Sequence, residues 1–149
     1  MDALELLKQD HKKVKGLFEQ VEGGDEKKQQ KIFEEIKTEL ETHARIEETV
    51  FYPAVQKHEE LSDMVLESLE EHKQIKTLLR EMDSLASDSE KFEPKLKVLM
   101  ENVEHHAEEE EEGKMFPKIR QVMNKQQLEQ LGAALETAKG RGQKQRKAG

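Results

Sequence analysis

The chain contains no cysteine and no tryptophan, and only three prolines and eight glycines in 149 residues. Without cysteine there are no disulfides, no thiolate metal sites and no cysteine nucleophile. So little proline and glycine leaves few breaks in regular structure. Apolar residues make up 34% of the sequence, below the ~45–50% usual for globular chains. No run approaches the roughly 18 apolar residues of a membrane span. The opening "MDALELLKQDH" carries acids where a signal peptide needs an apolar stretch. A soluble, cytoplasmic protein without a membrane partner is expected. The net charge of −8 argues against nucleic acid as a partner on bulk electrostatics. There is no GxSxG and no Walker-type GxxxxGK[ST], so neither a nucleophile elbow nor a phosphate loop is indicated.

What is present is charge, at 39% of residues, carried with leucine and glutamine by good helix formers. The sparse apolar residues are strongly periodic. Their spacing, with breakers, predicts helices over about Ala3–Glu22, Glu26–Phe51, Ser62–Leu85, Pro94–Gly113 and Lys125–Lys139. Asp25 and Ser62 are candidate N-caps. Sustained period-two alternation and Asn-Gly or Asp-Gly turns are lacking, so strands are not indicated. The expected fold is all-α: an up-down-up-down four-helix bundle with a short fifth C-terminal helix. One domain covers residues 1–139, followed by a basic, disordered tail at 140–149.

The pattern repeats internally. His11, Val14, Phe18 and Val21 of the first helix are spaced as His72, Ile75, Leu79 and Met82 of the third. Phe33, Ile36, Leu40, His43 and Glu47 of the second are spaced as Leu96, Leu99, Val103, His106 and Glu110 of the fourth. The bundle should therefore have an approximate two-fold axis. The same repeat places one histidine on the inward line of each of four helices, and a glutamate one turn after two of them. An i, i+4 pair shares a helix face, so His43–Glu47 and His106–Glu110 can each bind as a unit. Buried glutamates are costly unless paired or bound to a metal. His11, His43, Glu47, His72, His106 and Glu110 thus form a candidate set of ligands for two metal ions, with the carboxylates bridging. Histidine and carboxylate without thiolate suit iron best, with manganese or zinc as alternatives.

Other histidines fit this scheme less well. His58 follows Pro53 among charged residues and reads as a surface group. His105 is one position off the apolar register and reads as a neighbour of the site, or as a replacement for His106. Phe51, Tyr52, Met115 and Phe116 read as packing at the bundle end that could also shield a site from water. The tail "GRGQKQRKAG" reads as a solubilising end rather than an RNA-binding arm.

The phrases "DHKKVKGLFEQV", "ETHARIEETVFYP", "EEHKQIKTLL" and "VEHHAEEEEEGKMFPKIR" resemble the hemerythrin-like, or HHE cation-binding, family in order and spacing. The resemblance spans about Leu4 to Lys139. It implies a non-heme di-iron centre, oxo- or hydroxo-bridged, in a four-helix bundle that binds O2 or a related small ligand such as NO or peroxide. His11, His43, Glu47, His72, His106 and an acid after His106 match the family's ligand positions. Oxygen-carrying members have a second histidine one turn after the third-helix histidine; here that place is Lys76. Simple oxygen carriage loses ground to iron or redox sensing and handling, or to an oxidase or peroxide-consuming activity at the same site.

One ambiguity stays open at this level. The stretch between His106 and Pro117 is one residue longer than that between His43 and Pro53. Counting forward from the histidine selects Glu110, and counting back from the proline selects Glu111. A regular helix favours Glu110. A π-bulge before the ligand would select Glu111.

Overall fold

The computed structural model describes the backbone of residues 1–22, 24–86 and 88–148, and side chains as far as residue 141. Seven α-helices account for most of it: α1 (Ala3–Val21), α2 (Glu26–Ile46), α3 (Tyr52–Gln56), α4 (Ser62–Asp83), α5 (Phe92–Glu104), α6 (Phe116–Val122) and α7 (Lys125–Ala148). The described residues contain no strand. Caps set the first two starts. Asp2 accepts from the Glu5 amide and Asp25 from the Lys28 amide, each satisfying an otherwise unbonded helix N–H. Ser62, expected to cap, is instead the first residue of α4; a 3-10 turn over Glu59–Leu61 leads directly into it.

Cross-helix pairs show the directions. Asp10 meets His43 and Lys13 meets Glu39, so α1 and α2 run antiparallel. Glu71 meets His106 and Glu81 meets Lys95, so α4 and the α5 rod do the same. Lys37 meets Asp83 and Glu48 meets His72, which joins the two hairpins.

Neither long rod carrying a glutamate is α-helical throughout. A π segment at Glu47–Phe51 joins α2 to α3, and a longer one at His105–Met115 joins α5 to α6. Each closes with an i→i+5 bond, Tyr52 N–H to Glu47 C=O and Phe116 N–H to Glu111 C=O. Pro53 and Pro117 follow at once, and the rods run on as α3 and α6 instead of stopping. In an α-helix a proline ring meets the carbonyl four residues back. After a π turn the bonding has moved one residue, and the ring is tolerated.

The core divides into two apolar clusters. One joins the start of α1, the proline turns, α6 and α7 through residues such as Leu7, Phe51, Phe116 and Leu135. The other, including Phe18, Ile36, Leu79 and Leu99, fills the far end of the bundle. Between them lie the buried polar residues. Helix α7 packs on α1 and α2 through Leu128, Leu131 and Leu135. Gly132 lets it do so, because a Cβ there would lie 2.5 Å from the Met1 carbonyl oxygen. The helix continues beyond residue 139 into the stretch read as a tail. Side chains of 142–149, on which that reading depended, lie outside the described residues. No described helix is long and apolar enough to cross a membrane.

Candidate metal centre

Six side chains converge in the polar layer. His43, Glu47, His72, His106 and Glu111 are buried, both carboxylates completely, and His11 is nearly so. They form two groups, His11–His43–Glu111 and Glu47–His72–His106, each with ligand atoms within 4.8 Å of one another. The carboxylates link the groups. Glu47 Oε1 lies 3.0 Å from His72 Nε2, 3.2 Å from His43 Nε2 and 3.5 Å from His106 Nε2. Glu111 Oε1 lies 3.1 Å from His11 Nε2 and 3.6 Å from His106 Nε2.

The fourth-rod carboxylate that the structure brings into this cluster is Glu111, the residue counted from the proline, rather than Glu110, the one a regular helix favours. The π segment carries Glu111, at i+5, onto the face of His106, as an extra residue per turn requires. Glu110 is left near the surface beside His105 and Lys114. His105 does not replace His106: half exposed, it pairs with Glu109 outside the cluster. The count from the proline, with Glu47 and Glu111 both six residues before it, is the one the backbone follows.

All four imidazoles are held from behind. Asp10 faces His43 Nδ1 at 3.0 Å and Glu71 faces His106 Nδ1 at 2.7 Å. Glu48 faces His72 Nδ1 at 2.8 Å and Glu112 faces His11 Nδ1 at 2.6 Å. A carboxylate there accepts the hydrogen bond of Nδ1–H and leaves Nε2 facing inward as a basic ligand atom, as at metal-binding histidines generally. These four acids obey the internal repeat: Asp10 and Glu71 each precede a histidine, while Glu48 and Glu112 each follow an inner glutamate. The sequence reading passed over them, although "DH", "EH" and the two "EE" pairs were visible signals.

Tyr52 was also passed over as chemistry. Its ring packs in the core, but its hydroxyl donates to Glu111 Oε2 at 2.7 Å. It also lies 3.3 Å from His72 Nε2 and 3.4 Å from His106 Nε2. Phe116, the residue equivalent to Tyr52, has no hydroxyl and stacks near His11. The two-fold repeat is therefore broken at this point, with a proton donor on one side only.

The electrostatics show what the cluster lacks. Burial disfavours an imidazolium at His106, but the Glu111 charge and hydrogen bonds to Glu47 and Glu71 raise its pKa to about 10. At His43 burial is likewise outweighed, by Glu47 and Asp10, and the pKa rises well above the usual range. Burial opposes a charged Glu47 as well, yet His43 and its other partners hold it well below the ordinary carboxylate range. Burial pushes the Tyr52 phenol up, helped by Glu111 and Glu47, so it keeps its proton. Without a metal, protons must balance the two carboxylates. Even so, among the described residues Glu47 Oε2 has no hydrogen-bond partner, and His43 Nε2, although 3.2 Å from Glu47 Oε1, makes no well-directed hydrogen bond. Buried orphans of this kind are costly, and both belong to the side chains that converge here. The donor set therefore fits metal ions between the two groups.

A cavity of about 40 Å³ adjoins the four histidines, walled by Val14, Leu40, Ile75 and Val103. Lys76, the residue at the position of the missing fifth histidine, lies at its edge and pairs with Glu48. It thereby supports the carboxylate that orients His72.

The chain is similar to known proteins. A hemerythrin HHE cation-binding domain-containing protein from Mycobacterium kansasii superposes with a TM-score of 0.81 at 27% identity, covering 94% of this chain and 88% of that one. A hemerythrin-like protein from Schizosaccharomyces pombe is 36% identical over 76 residues, half of this chain and 37% of that protein. A protein from Nostoc named DNA nickase is 29% identical over 142 residues, 95% of this chain and 40% of that protein. The chain thus spans about two fifths of the length of these curated relatives. The Hemerythrin HHE cation binding domain model matches residues 2–119, and the chain belongs to that family.

Proposed function

We propose that the chain holds two iron ions, His11, His43 and Glu111 on one, Glu47, His72 and His106 on the other, and that it reversibly binds O2, NO or a related small ligand. The observation that carries this is the set of four imidazoles, each backed by a carboxylate, with inward Nε2 atoms meeting two fully buried glutamates. Nitrogen and oxygen donors without thiolate favour iron. Bound iron supplies exchangeable coordination positions and redox capacity that these side chains lack.

The remaining chemistry belongs to the chain. Glu47 and Glu111 each lie close to imidazoles of both groups and would serve both. The adjoining cavity admits only a very small molecule: a water needs ~10–15 Å³ by this measure, and about 40 Å³ is available. Val14, Leu40, Ile75 and Val103 give it apolar walls. Tyr52 holds a proton on its hydroxyl, aimed at Glu111.

Anaerobic loading should give two irons per chain, and optical spectra should then change on adding O2, azide or NO. Folded protein that takes up no iron, or iron protein with spectra indifferent to all three, overturns the proposal. The Tyr52 hydroxyl favours one second reading, an oxidase or peroxide-consuming enzyme, because it places a proton donor at the centre. Sustained turnover of peroxide or Fe(II) that falls in Tyr52→Phe would select it.

A further inference from the structure

The buried centre does not use His105, Glu109 or Glu110, although all three belong to the acidic phrase that supplies His106 and Glu111. They gather with Glu71 at the surface. His105 Nδ1 is taken by Glu109 at 2.7 Å, which turns Nε2 toward Glu71 Oε2 at 3.3 Å and Glu110 Oε1 at 3.5 Å. A tetrahedral ion with bonds of about 2.0–2.1 Å holds its ligand atoms about 3.3–3.4 Å apart. Both imidazole–carboxylate spacings are close to this, and all three ligand atoms lie within 4.8 Å of one another, which suits one imidazole and two carboxylates on a single small divalent cation with an open fourth position. An acid behind Nδ1 is again the arrangement of a metal-binding histidine.

The internal repeat supplies a second, independent observation. Glu71 corresponds to Asp10, and each backs a buried histidine with one oxygen. The other oxygen of Asp10 receives a cation, the Lys139 ammonium from α7. Helix α7 packs on α1 and α2. On the related face, the second oxygen of Glu71 meets the half-exposed His105 instead. In the first half of the repeat, Thr42 and Ile46 occupy the places of His105 and Glu110. The cluster is thus an addition to one half, at a position where the other half keeps a positive charge.

The geometry points to a second, outer metal site, formed by Glu71, His105 and Glu110, that takes one divalent first-row cation such as zinc. Glu71 joins it to the inner centre through His106. Lys114 Nζ, 3.2 Å from Glu110 Oε1, is an exposed ammonium that the cation displaces. The link to the inner centre rests on the proposed di-iron reading; the outer site itself does not.

The test titrates iron-loaded full-length protein with zinc chloride by calorimetry and then counts iron and zinc per chain. One zinc should bind in addition to the inner iron. His105→Ala and Glu110→Gln should each weaken it at least tenfold with iron content unchanged, whereas His58→Ala should bind as the wild type does. Zinc binding that persists at wild-type affinity in both His105→Ala and Glu110→Gln overturns the site, as does equal loss in His58→Ala. If the wild type takes up no iron, the inner reading fails, and the zinc difference between wild type and His105→Ala still decides the outer one.

Discussion

Glu110 and Glu111 are neighbours in the chain and opposites in the fold. Glu111 is wholly buried against His11 and the Tyr52 hydroxyl, while Glu110 sits near solvent beside Lys114. Glu111→Gln should therefore lose iron and Glu110→Gln should keep the inner pair, as read by metal content after loading. The acids behind the imidazoles act at one remove. Replacing Glu48 or Glu112 by Gln should lower iron affinity about 10–100-fold, measured by competition with a chelator. Tyr52→Phe should keep the iron stoichiometry. In the apo protein it removes a hydrogen bond to a carboxylate, which contributes about 1.5–3 kcal/mol; urea denaturation measures the loss.

At the scale of elements, the π segments decide which face each glutamate occupies, and the prolines after them keep the rods continuous. Two helical glycines separate cost from need. At Gly16 of α1 an added Cβ meets nothing within 4 Å. Gly16→Ala should stabilise the protein by about 0.5–1 kcal/mol through helix propensity. Gly132 of α7 packs against the backbone of Met1, Asp2 and Ala3, with contacts of 2.5–3.0 Å to an added Cβ. Gly132→Ala must push α7 off the start of α1, and its melting temperature should fall where that of Gly16→Ala rises. Equal shifts in the two variants would contradict this packing.

At the scale of the whole molecule, the buried acids and histidines couple stability to pH. Asp10, Glu47, Glu48 and Glu112 all have lowered pKa values, so their stabilisation is present above the unfolded carboxylate range and lost as acid protonates them. His11, His43, His72 and His106 have raised values. Their stabilisation of the apo protein is fully present below the unfolded value near 6.5 and is lost as pH rises, for His106 through about 10. Under the proposed di-iron reading, iron needs those imidazoles neutral, and its binding should strengthen over the same rise. The melting temperature of the apo protein should fall between pH 6 and pH 9, and the gap between iron-loaded and apo protein should widen. A constant gap would show that the histidines do not exchange protons for metal.

Much of this was legible in the chain. Periodicity and good helix formers determined helices, because each rod must bury one apolar stripe. The repeat determined that His11, His43, His72 and His106 would share an interior, since all four stand on those stripes. The identity of the fourth-rod carboxylate was not legible: one extra residue can be absorbed before or after the ligand, and only packing of both ends of the rod places the π segment at His105–Met115. The four supporting acids were visible as residues but not as partners, because each reaches a histidine on a different rod. Tyr52 looked like packing for a similar reason. A tyrosine ring in a core satisfies the local pattern, and only tertiary structure shows that its hydroxyl ends 2.7 Å from Glu111. Local spacing determines which face a side chain occupies; what it meets there depends on how the rods are brought together.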